Sequence, residues 1–220
     1  MQKGLLHIAG TIRTEQFWPD GESDADTIKV YVGDSEHAFQ FRSSPFVDFK
    51  PTNVFRTTEV QGIAVKKPIN DAKEITIRLQ GIDAPELHYT NKQYRQNLAE
   101  SSTVALANLI KSAGTSPVPC RAFTYVDTPD EVCDVYARVV AEVLIAVNGM
   151  EINLNRWLIE NGWAFPAFYT SMLPFEIQNC THAAKRARMM RTGVWSGEFY
   201  KTLHLHPEQT FRSGINAADF

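Results

Sequence analysis

A chain of 220 residues, 44% hydrophobic and 21% charged, suits one globular domain with decorations and is long enough to bury a single sizeable core. No run approaches the roughly 18 apolar residues of a membrane span, and residues 1–10 hold too short an apolar patch for a secretory signal peptide. The formal net charge of −3 argues against a uniformly basic surface, so any phosphate-binding region must be local.

Residues 5–18 and 27–32 read as two strands joined by the polar, turn-forming stretch 19–26. In the second, Ile28, Val30 and Val32 alternate with Thr27, Lys29 and Tyr31, the period of two that marks a half-buried strand. Residues 33–74 follow, with possible strands at 38–41 and 59–65. Structureless connections of this length are uncommon in compact domains, so an ordered insertion is expected. Whether it covers a groove, binds a partner or only lengthens the sheet is left open.

The stretch Ile75-Thr76-Ile77-Arg78-Leu79-Gln80-Gly81-Ile82-Asp83-Ala84-Pro85-Glu86 is the most informative. Ile75, Ile77 and Leu79 fall on one face of a strand, and Thr76, Arg78 and Gln80 on the other. Gly81 and Pro85 then force a turn that carries two carboxylates, Asp83 and Glu86. A cation on an open strand face beside two acids on a rigid turn is poor core material and suits a site for phosphate, metal and water.

Tyr94, Leu98, Ala105, Leu106, Leu109 and Ile110 recur at helical spacing, with Gly114 and Pro117 ending the helix. A strand is expected over 121–126 and a turn over 127–130. Ala137, Val139, Ala141, Val143, Ile145 and Val147 then form an apolar strand face opposite Tyr136, Arg138 and Glu142, closed by the hairpin signal Asn148-Gly149. A short helix follows, with Asn153 as N-cap, Leu154, Trp157 and Leu158 as its stripe, and Gly162 at C′. Leu173, Ile177, Cys180, Ala184 and Ala187 mark a last amphipathic helix. The basic residues Lys185, Arg186, Arg188 and Arg191 read as its solvated face, and His88, His204 and His206 as loop or tail residues. Three cysteines, Cys120, Cys133 and Cys180, lack metal-ligand spacing and read as reduced thiols in a cytoplasmic protein.

Arg78-Leu79-Gln80-Gly81-Ile82-Asp83-Ala84-Pro85-Glu86 resembles the signature of the staphylococcal-nuclease-like (thermonuclease) family. Other family elements follow the same order: Asp24-Ala25-Asp26-Thr27, Asp134-Val135-Tyr136-Ala137-Arg138, Asn161-Gly162-Trp163-Ala164 and Gly193-Val194-Trp195. Ala25 and Ala137 stand where glycine is usual; alanine there costs on the order of 1 kcal/mol if φ must be positive. The resemblance implies an α+β fold, a five-stranded OB-fold-like barrel with about three helices, plus the insertion after the second strand. The domain would span 1–196, with a tail over 197–220.

The resemblance also implies a calcium-dependent nuclease acting on DNA and on RNA with little sequence preference and leaving 3′-phosphate ends. An inactive binding module on the same fold is the alternative. Arg78 and Arg138 would flank the scissile phosphate, since a guanidinium grips two phosphoryl oxygens and never loses its proton. Glu86 would position or deprotonate the attacking water. Asp26, Asp83 and the Ala84 carbonyl would hold Ca²⁺, with Asp24 joining through water. Tyr136 would donate to a neighbouring phosphate, and Tyr169 or Phe168 would stack on a base.

Overall fold

The computed structural model describes residues 3–33, 37–60, 63–88 and 95–197, with side chains outside 58–63. Its strands in chain order are β1 (Gly4–Ile12), β2 (Thr27–Tyr31), β3 (Phe39–Arg42), β4 (Lys50–Pro51), β5 (Phe55–Val60), β6 (Ile63–Pro68), β7 (Glu74–Leu79), β8 (Ile82–Asp83), β9 (Val118–Val126), β10 (Val139–Val147), β11 (Met150–Asn153) and β12 (Phe165–Pro166). The helices are α1 (Ala99–Ser112), α2 (Leu154–Glu160) and α3 (Pro174–Met190).

Five strands close on themselves. β1 pairs antiparallel with β2 and β9, β2 with β7, and β9 with β10, while β7 and β10 close the ring as a parallel pair. Closure removes exposed edges and puts every second side chain inside. Leu6, Ile8, Ile12, Ile28, Ile77, Leu79, Ala122, Val139, Ala141 and Val143 are those side chains, all at 1% exposure or less. Burying each of the larger ones contributes about 1.5–3 kcal/mol. This is the expected OB-fold-like barrel with three helices.

Two registers of β7 place the site. Thr27 lies opposite Arg78 on one side and Val140 opposite Arg78 on the other. Asp26 therefore arrives beside Arg78, and its backbone carbonyl accepts from Leu79 N at 2.8 Å. Arg138, two residues before Val140, starts on the same side of β10.

The first strand stops at Ile12, short of the expected residue 18. Thr14–Gln16 form a 3-10 turn instead, because the Gln16 side chain completes the edge of β2: its Oε1 accepts from Lys29 N at 2.6 Å and its Nε2 donates to Lys29 O at 3.0 Å. The insertion is ordered where described. β3 pairs with Leu5, Leu6, His7 and Ile8 of β1, the half that β2 leaves free. The single strand expected over 59–65 is instead two, since β5 and β6 pair antiparallel as a hairpin. α1 begins at Ala99; Leu98 is its N-cap at φ 67°, and Tyr94 lies outside the described residues. β9 begins at Val118, three residues earlier than expected.

Local signals elsewhere hold. The Asn153 side chain accepts from Arg156 N at the start of α2, and Asn148 and Gly149 both take positive φ. Ala137 adopts φ 62°, so alanine is strained there, whereas Ala25 has no positive φ and needs no glycine. Cys120, Cys133 and Cys180 are free thiols; burial pushes Cys120 and Cys180 up to about 12 and Cys133 up to about 11. No described helix is long and apolar enough to cross a membrane.

A buried polar network ties β7 to α2 and α3. Gln80 Nε2 donates to Glu176 Oε1 at 3.1 Å, and Thr124 Oγ1 donates to Gln80 Oε1 at 3.2 Å. Asn155 Nδ2 donates to the Gln80 and Ala141 carbonyls, and its Oδ1 accepts from Val143 N. Burial pushes the Glu176 carboxyl above its ordinary value near 4.5, against the opposing Leu173 N–H, Lys3 and Gln80. The folded chain thus holds this proton after the unfolded chain has released it. Its contribution is full below the ordinary value and is lost as pH rises through the raised one. Glu176→Gln is expected to flatten the fall in the urea midpoint as pH rises above about 4.5; an unchanged slope would assign that fall to other groups.

Candidate active site

Arg78 sits at the barrel mouth between two acids. Its Nη1 pairs with Asp26 Oδ2, and its Nη2 donates to Asp83 Oδ1 at 3.1 Å and to the Ile82 carbonyl at 3.3 Å. Burial works against the guanidinium charge, but Asp26, Tyr169 and Asp83 more than offset it and hold its pKa above the ordinary value. Asp26 is itself buried and also accepts from Ala84 N at 3.0 Å and Thr27 Oγ1 at 3.1 Å. Asp24 Oδ1 accepts from Leu87 N at 2.7 Å. The turn that carries Asp83 and Glu86 therefore hangs by its backbone N–H groups from the two aspartates that precede β2.

The acids crowd one another. Asp83 is raised by burial and then by Asp26, with Arg78 opposing. Asp24 is raised by burial, with Leu87 N–H opposing and Asp26 adding to the rise. Glu86 is raised by burial, then by Asp24, Asp26 and Asp83 together. Four carboxylates around one guanidinium leave a surplus of negative charge. Hard carboxylate oxygens under mutual repulsion fit a hard divalent cation in chemistry. Among the described residues, no three His, Cys, Asp or Glu side chains are already gathered as a metal cage; Asp26 and Asp83 face the Arg78 guanidinium.

Arg138 is held differently. Asp134 Oδ1 accepts from Arg138 N and Tyr136 N at 2.9 Å, and its Oδ2 accepts from Arg138 Nε and Nη2 at 2.8 Å. The guanidinium lies 5.3 Å from the Tyr136 ring centroid. Arg78 and Arg138, with Tyr136, Tyr169, Lys3 and Asp134, line one open cavity of about 480 Å³, with Gln80 and Thr124 also in its wall.

Not every candidate faces that cavity. Phe168 packs against the core, while Tyr169 is 42% exposed. Glu86 is on the exposed side of its turn and outside the cavity wall, coupled to the cluster through charge. His88 pairs with Glu22 at 2.9 Å, and Arg186 of the last helix pairs with Glu160. His204 and His206 lie outside the described residues.

Sequence reasoning missed two supports. Gln96 Oε1 accepts from Glu86 N at 2.7 Å while Gln96 N donates to the Glu86 carbonyl at 3.0 Å, fixing that backbone. Nothing local announces Gln96. Asp134 does carry a signal, as the first residue of the element Asp134-Val135-Tyr136-Ala137-Arg138, but that element alone does not say that its carboxylate holds Arg138.

A closed five-stranded barrel with an acid and guanidinium cluster at its mouth defines an OB-fold-like domain built around charge at one end. The sequence from residue 76 to residue 197, more than half of the chain, matches the family described as staphylococcal nuclease homologue, and the chain belongs to that family. Membership points to nuclease-type chemistry. The matched region begins inside β7, so Asp24 and Asp26 enter the site from outside it. A search among curated proteins found no match.

Proposed function

We propose that the chain is a calcium-dependent nuclease that hydrolyses phosphodiester bonds of DNA and of RNA with little sequence preference, leaving 3′-phosphate ends. The observation that carries this is the convergence of Arg78 and Arg138 on one cavity, with Arg78 bonded to Asp83 of the acid turn. Hydrolysis needs charge neutralised on a pentacovalent phosphorus and a water held in line with the leaving oxygen. Two guanidinium groups supply the first need, because five N–H donors let each keep its acid and still bond phosphoryl oxygens.

Glu86 positions or deprotonates the water. Its raised pKa brings it closer to the working pH, where a proton acceptor is most effective. Asp26, Asp83 and the Ala84 carbonyl would hold Ca²⁺, with Asp24 reaching it through water. The ion, when bound, supplies a compact double positive charge against the developing phosphoryl charge. Tyr136 and Tyr169, both in the cavity wall, offer a hydroxyl to a phosphate and a ring to a base. Such contacts address backbone and π-face, not base edges, so sequence preference is low.

The test is degradation of plasmid and single-stranded DNA with Ca²⁺ or with chelator. Cleavage should require calcium and disappear in Glu86→Ala. Cleavage that persists in chelator would sink the calcium reading, and binding without cleavage in any metal would mark an inactive nucleic-acid-binding module. Asp134→Asn leaves Arg138 in place but loosens its aim. It is expected to lower kcat by about 10²-fold, the scale of a misplacement near 1 Å; an unchanged kcat would show that Arg138 is positioned without Asp134.

A further inference from the structure

We propose that the insertion hairpin β5–β6 is a phosphate-binding arm, with Arg56 and Lys67 gripping backbone phosphates next to the one held by Arg78 and Arg138. This rests on the nucleic-acid reading of the cavity. Arg56 and Lys67 are direct cross-strand partners. Their side chains leave one face of the ribbon with like charges opposed, an arrangement that costs stability unless an anion lies between. Both are exposed, and among the described residues neither is paired with an acid. Lys66, on the other face, is neutralised by Asp130 at 3.0 Å.

The ribbon is fixed in place. Asp130 Oδ1 accepts from Phe55 N at 3.0 Å, while Val54 N donates to Asn70 Oδ1 at 2.7 Å and Ile69 N to the Val54 carbonyl at 2.8 Å across its base. Asp130 lies in the 3-10 turn Pro129–Val132, just before Asp134. The arm is thereby tied to the segment that aims Arg138. Arg56 lines a cavity of about 170 Å³ together with Tyr136, Ala137 and Arg138. Tyr136 and Arg138 also line the active cavity, so the two spaces adjoin. Among the described residues Glu74 is the one acid lining the smaller cavity, against the two guanidinium groups Arg56 and Arg138 bring to it.

A row of guanidinium groups thus runs from Arg78 through Arg138 to Arg56, with Lys67 beside the last. In a chain of net charge −3, unneutralised cations next to the site fit a polyanion that passes through it. The occupant is a nucleic-acid strand, whose phosphates repeat regularly enough to meet successive cations.

The test is Arg56→Glu/Lys67→Glu in the full chain, with Arg56→Gln/Lys67→Gln beside it in case reversal perturbs folding. Fluorescence anisotropy in chelator would follow labelled single-stranded oligonucleotides of about 20 and about 4 nucleotides, so that cleavage plays no part. The long oligonucleotide should bind about tenfold more weakly, with the slope of log K against log salt shallower by about 1.4 for two lost phosphate contacts, and the short one should be unaffected. Unchanged affinity and slope for the long oligonucleotide would overturn the proposal. So would an equal loss for the short one, which would put both cations inside the cleavage site. A parent chain that binds but never cleaves fails the nuclease reading alone; one that binds neither oligonucleotide overturns both.

Discussion

Arg78→Lys is expected to slow hydrolysis by roughly 10³- to 10⁵-fold, the scale set by arginines that stabilise phosphoryl-transfer transition states, while leaving most of the folding stability in place. Lysine keeps a positive charge near Asp26 but lacks the planar fork that spans Asp26 and Asp83 and still reaches a phosphate. Arg78→Ala should lose both rate and stability. It strands a nearly buried carboxylate, and breaking a buried ion pair by removing one partner costs about 3 kcal/mol or more. The Ala84 N–H and Thr27 hydroxyl that remain on Asp26 keep the loss toward the low end. Single-turnover cleavage of single-stranded DNA and a urea titration would separate the two effects. Parent-like cleavage by Arg78→Lys would remove Arg78 from the chemistry, and a parent-like midpoint for Arg78→Ala would show that the pair does not stabilise the fold.

Gly193→Ala should destabilise the fold severely for the addition of a single methyl group. Two segments far apart in sequence meet backbone to backbone: Val194 N donates to the Gly162 carbonyl at 2.8 Å, and both glycines have positive φ. A Cβ on Gly193 would land on the Gly162 carbonyl, and one on Gly162 on the Thr192 carbonyl. Neither neighbour is a flexible side-chain end, so the backbones must separate. The expected cost is about 3–5 kcal/mol, adding the left-handed backbone penalty to overpacking.

Gly149→Ala is the control. Its φ is also positive, but nothing lies within 4 Å of the added atom, so only the backbone penalty of about 1 kcal/mol applies. If urea midpoints show equal costs at 193 and 149, the steric account fails. The contact also reaches the site. Trp195 packs edge-on against Phe165 at 4.9 Å, and Phe165 pairs with Asp83 in the β12–β8 register. A separated junction should therefore, on the calcium reading proposed above, raise the Ca²⁺ concentration needed for half-maximal cleavage as well as lower stability.

Much of this was legible in the residues themselves. Period-two alternation marked β2, β7 and β10 because a barrel strand buries every second side chain, and that depends only on the strand's own order. Asn153 and the Asn148-Gly149 pair marked a cap and a turn for the same local reason. The succession of short motifs located the family. The question raised by Ala137 and Ala25 was also visible, though only the backbone answered it, with positive φ at the first and none at the second.

What the sequence could not decide is which groups touch. Gly162 read as the C′ residue of a helix and Gly193 as the first residue of a short family element, and their contact belongs to neither. Arg138 read as a cation on an open face, yet its aim comes from Asp134 on a bent, non-helical segment. Glu86 read as part of the acid turn, but its side chain stands outside the cavity wall. The insertion read as an ordered segment with strands at 38–41 and 59–65 and no assigned partner, whereas β3 pairs with the free half of β1 and β5–β6 is tied to Asp130. Alternation fixes the face on which a side chain leaves a strand. Only the registers of β2 and β10 against β7 bring Asp26 and Arg138 toward Arg78. Those registers are set by packing a closed barrel, a property of all five strands together.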